Sequence, residues 1–173
     1  MKKVFMLVMV ALMTLGVSQK AQAIEDPNPV GTLVLGARCN MEPGYHYFGA
    51  GANIVGDYTL IDHWWIGHLT VGGFIGSNFN TLHMSHFAFM PRVTYGLNIT
   101  NDFEVHAALM LGLGVRHLSL KHYPEDYDYN RVYFAHGELL GCRYYFTPNI
   151  GVEAEMGYTY TMGYFNVGVT FRL

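Results

Sequence analysis

The sequence predicts an all-β fold, an eight-stranded antiparallel up-and-down transmembrane β-barrel. Three observations support it: apolar residues alternate with polar or small ones along most of the chain, turn residues separate the alternating stretches, and the apolar surface is large for the available charge. Of the 173 residues, 51% are hydrophobic and 13% are charged, whereas a soluble domain carries about 25% charged residues. Much of the apolar surface must therefore face something other than water.

The first 23 residues have the composition of a cleaved signal peptide. Two lysines precede an apolar stretch over residues 4–17, and Ala21 and Ala23 form a small-x-small cleavage site. A membrane-spanning helix needs about 20 apolar residues, which argues against an anchor. We therefore expect export and a mature domain over residues 24–173.

The charge of the mature chain argues against nucleic-acid binding. Removal of the signal peptide takes away three of ten basic residues and no acidic one, which leaves seven basic against 13 acidic residues, a formal charge of −6. Only one lysine, Lys121, is left. A basic stripe for phosphate backbones is therefore missing.

The last ten residues show the alternation most clearly. One face carries the apolar side chains of Phe165, Val167, Val169, Phe171 and Leu173, with polar or small residues between them. A period of two residues is strand geometry. The same pattern predicts eight strands over residues 32–41, 46–58, 65–77, 87–99, 103–116, 131–146, 150–161 and 164–173.

The sixth predicted strand is the least regular. His136 and Glu138 share the parity of Phe134 and Leu140. Either a bulge near Gly137 shifts the register, or these two polar side chains face outward with the apolar ones.

Short and long connections alternate between the predicted strands. Short turns are expected near residues 60–62, 101–102 and 147–149, and longer polar connections over 42–44, 78–85 and 118–130. This alternation is typical of barrels that have short turns at one membrane face and longer loops at the other.

The composition of the polar face of the strands distinguishes a membrane barrel from a soluble β-sandwich or lipocalin-like barrel. A soluble barrel would carry dense Lys, Glu, Ser and Asn there, whereas this face is rich in glycine. Its sparse charges are nearly balanced, and we interpret them as a lumen network of Arg38, Arg92, Glu104, Arg116, Arg143, Glu153, Glu155 and Arg172.

The expected lumen is narrow. Eight strands enclose a space that side chains fill, and an aqueous channel needs a larger barrel. The sequence therefore argues against a general porin and favours structural salt bridges. A small-solute or ion-conducting barrel is kept as an alternative.

The carboxyl end carries a motif beyond the alternation. Asn166-x-Gly168-x-x-Phe171-x-Leu173 resembles the assembly signal of bacterial outer-membrane barrels. With residues 145–158, the chain over 30–173 resembles the small eight-stranded OmpA- and OmpX-like outer-membrane proteins, in their Bacteroidetes-type form. This resemblance implies outer-membrane location, contact with its lipid, insertion by the barrel assembly machinery through the last strand, and a non-enzymatic role in envelope integrity or surface recognition.

The longest predicted external loop is the candidate recognition surface for an extracellular partner. It carries Tyr123, Glu125, Asp126, Tyr127, Asp128 and Tyr129. Tyrosine supplies amphipathic contact area at a low cost in entropy. An aromatic girdle at the membrane boundary is the alternative interpretation.

Two cysteines do not predict a disulfide here. Cys39 lies on the first predicted strand and Cys142 on the sixth, which are not neighbours in an up-and-down barrel. A disulfide needs Cα atoms within about 7 Å. We therefore expect two free, lipid-facing thiols.

The remaining polar residues assign no catalytic residue, metal or cofactor. His83-x-x-His86 is a weak metal signal, and a polar loop surface is the favoured explanation. A lipid A-modifying enzyme is kept as an alternative function, although its His-x-Ser-Asn run is missing and Ser85-His86 has the reverse order. His136 and Glu138 have no clear serine partner, Ser119 being the nearest candidate.

Overall fold

The computed structural model describes residues 27–43, 48–81, 84–120, 127–160 and 163–173. Within them, eight antiparallel strands follow one another around a closed barrel, and the first strand pairs with the last. The predicted fold class is confirmed, and the predicted signal peptide lies outside the described residues. The strands are β1 (Leu33–Pro43), β2 (Phe48–Trp64), β3 (Gly67–Asn80), β4 (Met84–Asn98), β5 (Phe103–Leu120), β6 (Tyr127–Tyr145), β7 (Ile150–Thr159) and β8 (Phe165–Arg172).

The apolar parity of the strands faces outward. Ile54 on β2 and Leu109 on β5 are 63% and 62% exposed, while Val55 and Met110, one position further along the same strands, are 1% exposed. Successive side chains of a strand point to opposite faces, so the wall of the barrel carries a continuous apolar surface outside. The described residues contain no helix long and apolar enough to cross a bilayer.

The two ends of the barrel differ. The turn end carries the short connections at residues 65–66, 99–102 and 146–149, together with the chain terminus after β8. The loop end carries the other connections. The loop end has an uneven rim, because β5 and β6 have 18 and 19 residues whereas β7 and β8 have 10 and 8.

The β5–β6 hairpin projects furthest at the loop end. The pairing of β6 with β7 begins at Gly137 and Thr159, so residues 127–135 lie beyond the last β7 pair. The predicted loop over 118–130 is therefore too long, because β5 continues to Leu120 and β6 begins at Tyr127. The Tyr127-x-Tyr129 alternation fits a strand as well as it fits a loop.

The turn predicted at residues 60–62 is wrong. Strand β2 continues to Trp64, with register shifts between Thr59 and Ile61 and between Ile61 and Trp64. Such irregularities absorb extra residues without ending a strand. The chain reverses at Trp65, whose φ of 64° matches the positive φ of the first residue in a tight hairpin turn.

No bulge occurs near Gly137. The register between β5 and β6 runs without a shift from Phe103 and Tyr144 to Leu120 and Tyr127. His136 and Glu138 therefore keep the outward parity of their strand, and the second of the two sequence interpretations is correct.

The interior is not polar throughout. Buried apolar side chains pack together beside the charged residues inside the barrel. This inner apolar cluster comprises Val55, Phe74, Ala88, Met90, Ala108, Met110, Ala135 and Leu139. The lumen is therefore filled partly by the charged network and partly by apolar side chains on the inward parity of the strands.

Candidate functional site

Three arginines and four carboxylates meet inside the barrel. The arginines are on β1, β4 and β6, and each is 3% exposed or less. Among the described residues, this lumen network consists of Arg38, Arg92, Arg143, Asp57, Glu104, Glu153 and Glu155. Charges this deeply buried require pairing and hydrogen bonds.

Arg143 is the centre of the network because it contacts three carboxylates from three strands. Its Nη2 lies 2.5 Å from Asp57 Oδ2, its Nη1 3.1 Å from Glu104 Oε1, and its Nε 3.0 Å from Glu153 Oε2. The planar guanidinium has five N–H donors that point outward along its edges. A single side chain thereby connects β2, β5, β6 and β7 through the lumen.

Arg92 and Arg38 share Glu155. Arg92 donates hydrogen bonds from both terminal nitrogens to the Glu155 carboxylate, at 3.2 and 2.5 Å. It also donates a hydrogen bond from Nε to Asp57 at 3.0 Å. Arg38 pairs through Nη1 with Oε2 of Glu155, and its Nε lies 3.7 Å from Glu153 Oε1. Forked contacts of this kind fix the orientation of both partners.

His106 lies between two carboxylates. Its Nε2 is 2.9 Å from Glu155 Oε1 and its Nδ1 is 3.4 Å from Glu104 Oε1. The three arginines and four carboxylates sum to a formal charge of −1. An imidazolium, with donors on both ring nitrogens, brings that sum to zero.

The segment before β1 closes the network at the turn end. Asn28 is 1% exposed, and its Nδ2 donates to Glu104 Oε2 at 3.0 Å and to Asn98 at 3.3 Å. The same nitrogen is 3.4 Å from the ring of His68. The amide of Asn28 thus contacts Oε2 of Glu104, whereas Arg143 contacts Oε1.

Two of the predicted network residues lie outside this cluster. Arg172 stacks on Tyr145 near the turn end, with its Cζ 3.6 Å from the ring centre. Arg116 lies toward the loop end, with its Cζ 5.9 Å from the ring centre of Tyr133. Both face inward, but the stagger between strands places them away from the carboxylates.

Two inward glycines make room for the network. A Cβ on Gly36 would meet Glu153 Oε1 at 2.0 Å, and one on Gly141 would meet His106 Nε2 at 2.5 Å. The arginine side chains occupy space that larger neighbours would fill. The glycine-rich inner parity is therefore what lets so many long charged side chains fit into a narrow barrel.

Sequence reasoning missed Asp57, His68, His106 and Asn28. Both Asp57 and His106 have the inward parity of their strands, so alternation alone could have found them. The less regular alternation of β2 hid Asp57, whereas Asn28 precedes the first strand and no local pattern marks it.

The proposed assembly motif is divided between the two faces of β8. Asn166 is buried and accepts a hydrogen bond from Asn53 at 2.8 Å, and Gly168 shares its inward parity. Phe171 and Leu173 are outward and exposed. Backbone hydrogen bonds between Leu173 and Leu33, at 2.9 and 3.1 Å, join the first and last strands at the turn end of the barrel.

The proposed recognition segment is only partly described. Tyr123, Glu125 and Asp126 lie outside the described residues. Tyr127 and Asp128 are paired with β5 in the backbone, and Tyr129 is 44% exposed.

The histidine and serine candidates are spread over different surfaces. His86 is buried inside the barrel against Tyr133 rather than in an external loop, and His83 lies outside the described residues. Ser85 and His86 are neighbours on β4 and point to opposite faces. In the described part of the chain, no three His, Cys, Asp or Glu side chains are arranged to hold a metal.

Several solved structures resemble this barrel, among them the following two. Neisserial surface protein A superposes with a TM-score of 0.60 at 16% identity, covering 83% of this chain and 96% of that one. The fold is that of a small outer-membrane β-barrel. Ail, the attachment invasion locus protein of Yersinia pestis, has a TM-score of 0.52 at 13% identity, with 83% of this chain and 99% of that chain covered.

The likeness is one of fold. No family model and no curated protein matches the chain. The Bacteroidetes-type assignment therefore stays a prediction, and the activity of this barrel has to be argued from its own residues.

Proposed function

We propose that this protein is an integral barrel of a bacterial outer membrane with a lumen filled by side chains, and that its role is structural or in surface recognition rather than enzymatic. The observation that carries the proposal is the combination of an apolar outer wall with the Arg143-centred network inside. Lipid is the environment that suits such a wall. The predicted signal peptide and the motif of β8 support export and insertion by the barrel assembly machinery.

The interior supports a closed lumen. Guanidinium groups from β1, β4 and β6 cross the space between the strands, and Phe74, Met90 and Met110 occupy the region beside them. An eight-stranded barrel is just wide enough for such side chains. Opening a path for ions would require several buried ion pairs to separate together.

The β5–β6 hairpin supports surface recognition. Its β6 strand extends past β7, so residues 127–135 have no β7 neighbour in the described structure. Val132 and Tyr129 are exposed there. A projecting hairpin with exposed aromatic and apolar side chains offers a contact surface for an extracellular partner.

Membrane insertion is tested by fractionation and heat modifiability. We expect the protein in the outer-membrane fraction, with a gel mobility that changes only after boiling, because a closed barrel keeps its structure in detergent. A soluble protein whose mobility never shifts would contradict the proposal.

A planar-bilayer recording tests the closed lumen. We expect no stepwise conductance from the wild-type barrel, since the network fills its cross-section. Regular conductance steps would favour the ion-conducting alternative. Arg131→Ala, which changes an exposed arginine of β6, should match the wild type.

Two further experiments separate the remaining roles. Expression should leave the acyl pattern of lipid A unchanged, and a shifted pattern would favour a lipid A-modifying enzyme.

Replacing residues 124–129 by a glycine–serine segment of equal length should reduce binding to host matrix or partner cells. Unchanged binding would remove the recognition role while leaving the barrel intact.

A further inference from the structure

The outer wall carries one carboxylate that the proposed function does not explain. Glu138 is exposed and has the same outward parity as Phe134 and Leu140. Its neighbour Leu139 is buried inside the barrel. Among the residues whose side chains the structure describes, it is the one Asp, Glu, Lys or Arg on the outward parity of the strands, apart from Asp62 beside the turn end. Asp128, near the loop end of β6, has the same parity in the register. Ionisable residues facing lipid are costly and are retained for function by default.

Glu138 lies in the loop-side half of the apolar wall. Tyr144 is outward at the turn end of the same strand, and Glu138 is six residues further toward the loop end. A strand crosses the hydrocarbon in about 9–11 residues. On β7, whose ten residues Ile150–Thr159 match that length, the partner of Glu138 is Tyr158, one residue before the loop end of the strand. The carboxylate is therefore close to the level at which lipid headgroups begin beside β7, and the described residues give it neither a hydrogen bond nor an ion pair.

An aromatic cluster of His136, Tyr158, Tyr160 and Tyr164 lies beside this carboxylate. The ring of His136 is 5.6 Å from Tyr158 and 6.0 Å from Tyr160, and Tyr158 is 6.3 Å from Tyr164. Tyr158 is also the β7 partner of Glu138. The faces of aromatic rings attract cations such as ammonium groups.

A groove in the outer wall runs beside Glu138. Its volume is ≈ 770 Å³, within the range of about 300–1,000 Å³ typical of ligand pockets. Apolar side chains of Val93, Leu140, Met156 and Phe165 line it. The groove is deepest at Ala107, because this small side chain lies between the larger Tyr95 and Leu140 in the register.

The charge of Glu138 selects the occupant. A groove that is mainly apolar and has one carboxylate on its loop side fits a molecule with an apolar chain and a cationic head. A second copy of the barrel offers no arginine or lysine on its described outward wall, so it cannot neutralise Glu138 at this depth. An amphiphile that carries its own cation can.

We propose that this groove binds a membrane lipid whose headgroup carries a primary ammonium group. The ammonium contacts the Glu138 carboxylate and the rings of the aromatic cluster, and one acyl chain lies in the groove over Ala107. The proposal rests on the proposed function, because the groove faces lipid only in a barrel that crosses a membrane.

The test uses the barrel in phosphatidylcholine nanodiscs that contain equal small amounts of phosphatidylethanolamine and phosphatidylglycerol with the same acyl chains. Native mass spectrometry then counts the lipids that stay bound after release. We expect about fivefold more phosphatidylethanolamine than phosphatidylglycerol, as for a partly exposed ion pair. Glu138→Gln, which preserves size, should abolish that preference.

A second pair of variants tests the groove separately from the charge. Ala107→Trp fills the floor and should lower retention of phosphatidylethanolamine. Ala52→Trp changes an outward alanine on β2, outside the groove, and should leave retention unchanged.

Two results would overturn the lipid site: equal retention of both lipids by the wild type, or a preference that survives Glu138→Gln. Heat modifiability is measured on every variant, so failure of the lipid site is distinguishable from failure of the barrel proposal. A barrel that shifts on boiling but shows no lipid preference refutes only the site.

Discussion

Arg143 on β6 and Asp57 on β2 form an ion pair across the lumen, with 2.5 Å between Nη2 and Oδ2. The two strands are four positions apart in either direction around the eight-strand ring, so the pair connects opposite walls. Neither residue is more than 1% exposed. Ion pairs therefore connect opposite walls across the width of the barrel, where the backbone hydrogen bonds between neighbouring strands do not act.

The first prediction concerns the loss of this central arginine. Arg143→Met should lower the free energy of unfolding by about 3–5 kcal/mol, because it leaves buried carboxylates without their counter-charge. Asp57, Glu104 and Glu153 would all lose a partner. Urea-induced unfolding of the protein in lipid vesicles measures the change.

Arg131→Met is the matched control on the same strand. Arg131 is exposed beyond the end of β7, so we expect a change of less than about 0.5 kcal/mol, as at most surface positions. Equal losses from both variants would contradict the central role of Arg143.

The second prediction tests the space that glycine provides. Gly141→Ala should lower the free energy of unfolding by about 1–3 kcal/mol, as overpacking of a filled interior does. Its Cβ would meet His106 Nε2 at 2.5 Å, Glu155 Cγ at 2.6 Å and the Ala154 carbonyl oxygen at 2.9 Å. Urea unfolding in vesicles is again the measurement.

Gly73→Ala provides the comparison. The added Cβ would lie 3.9 Å from the nearest atom, on Phe89, which is an ordinary contact. We expect stability to be unchanged or raised by less than about 1 kcal/mol, since alanine restricts the unfolded chain. A loss as large as that of Gly141→Ala would show that glycine acts through the backbone rather than through space.

The barrel and the side to which most residues point could be predicted because alternation is a local signal. A residue's parity fixes whether it faces lipid or lumen, so Arg38, Arg92 and Arg143 could be assigned inward before any pairing was known. The same rule placed Glu138 outward as one of two alternatives, and the unshifted β5–β6 register then decided between them.

The contacts inside the lumen could not be predicted, because they depend on the stagger between strands. Arg116 and Arg172 have the correct parity but lie near opposite ends of the barrel, against Tyr133 and Tyr145. Parity also does not show which inward residues meet, so the packing of the apolar cluster around Phe74 follows only from the register between strands. The strand pattern could not reveal Asn28, which lies outside any strand.

The third prediction concerns the cysteines. Cys39 on β1 and Cys142 on β6 are free, the former exposed, and their strands are not neighbours. Gel mobility of the unfolded protein should be the same with and without reductant. A faster non-reduced band that maps to a Cys39–Cys142 bond would contradict the strand order.

The fourth prediction concerns the residue that closes the network from outside the strands. Asn28→Ala should lower the free energy of unfolding by about 1.5–3 kcal/mol, the range for hydrogen bonds to charged groups, because Glu104 loses the amide donor at 3.0 Å. Pro29→Ala is the control, since the neighbouring proline is exposed and its carbonyl contact to Thr32 is kept. Thermal unfolding followed by gel mobility compares the two variants. If both unfold at the wild-type temperature, the segment before β1 lies over the lumen without stabilising it, and the strands alone hold Glu104 in place.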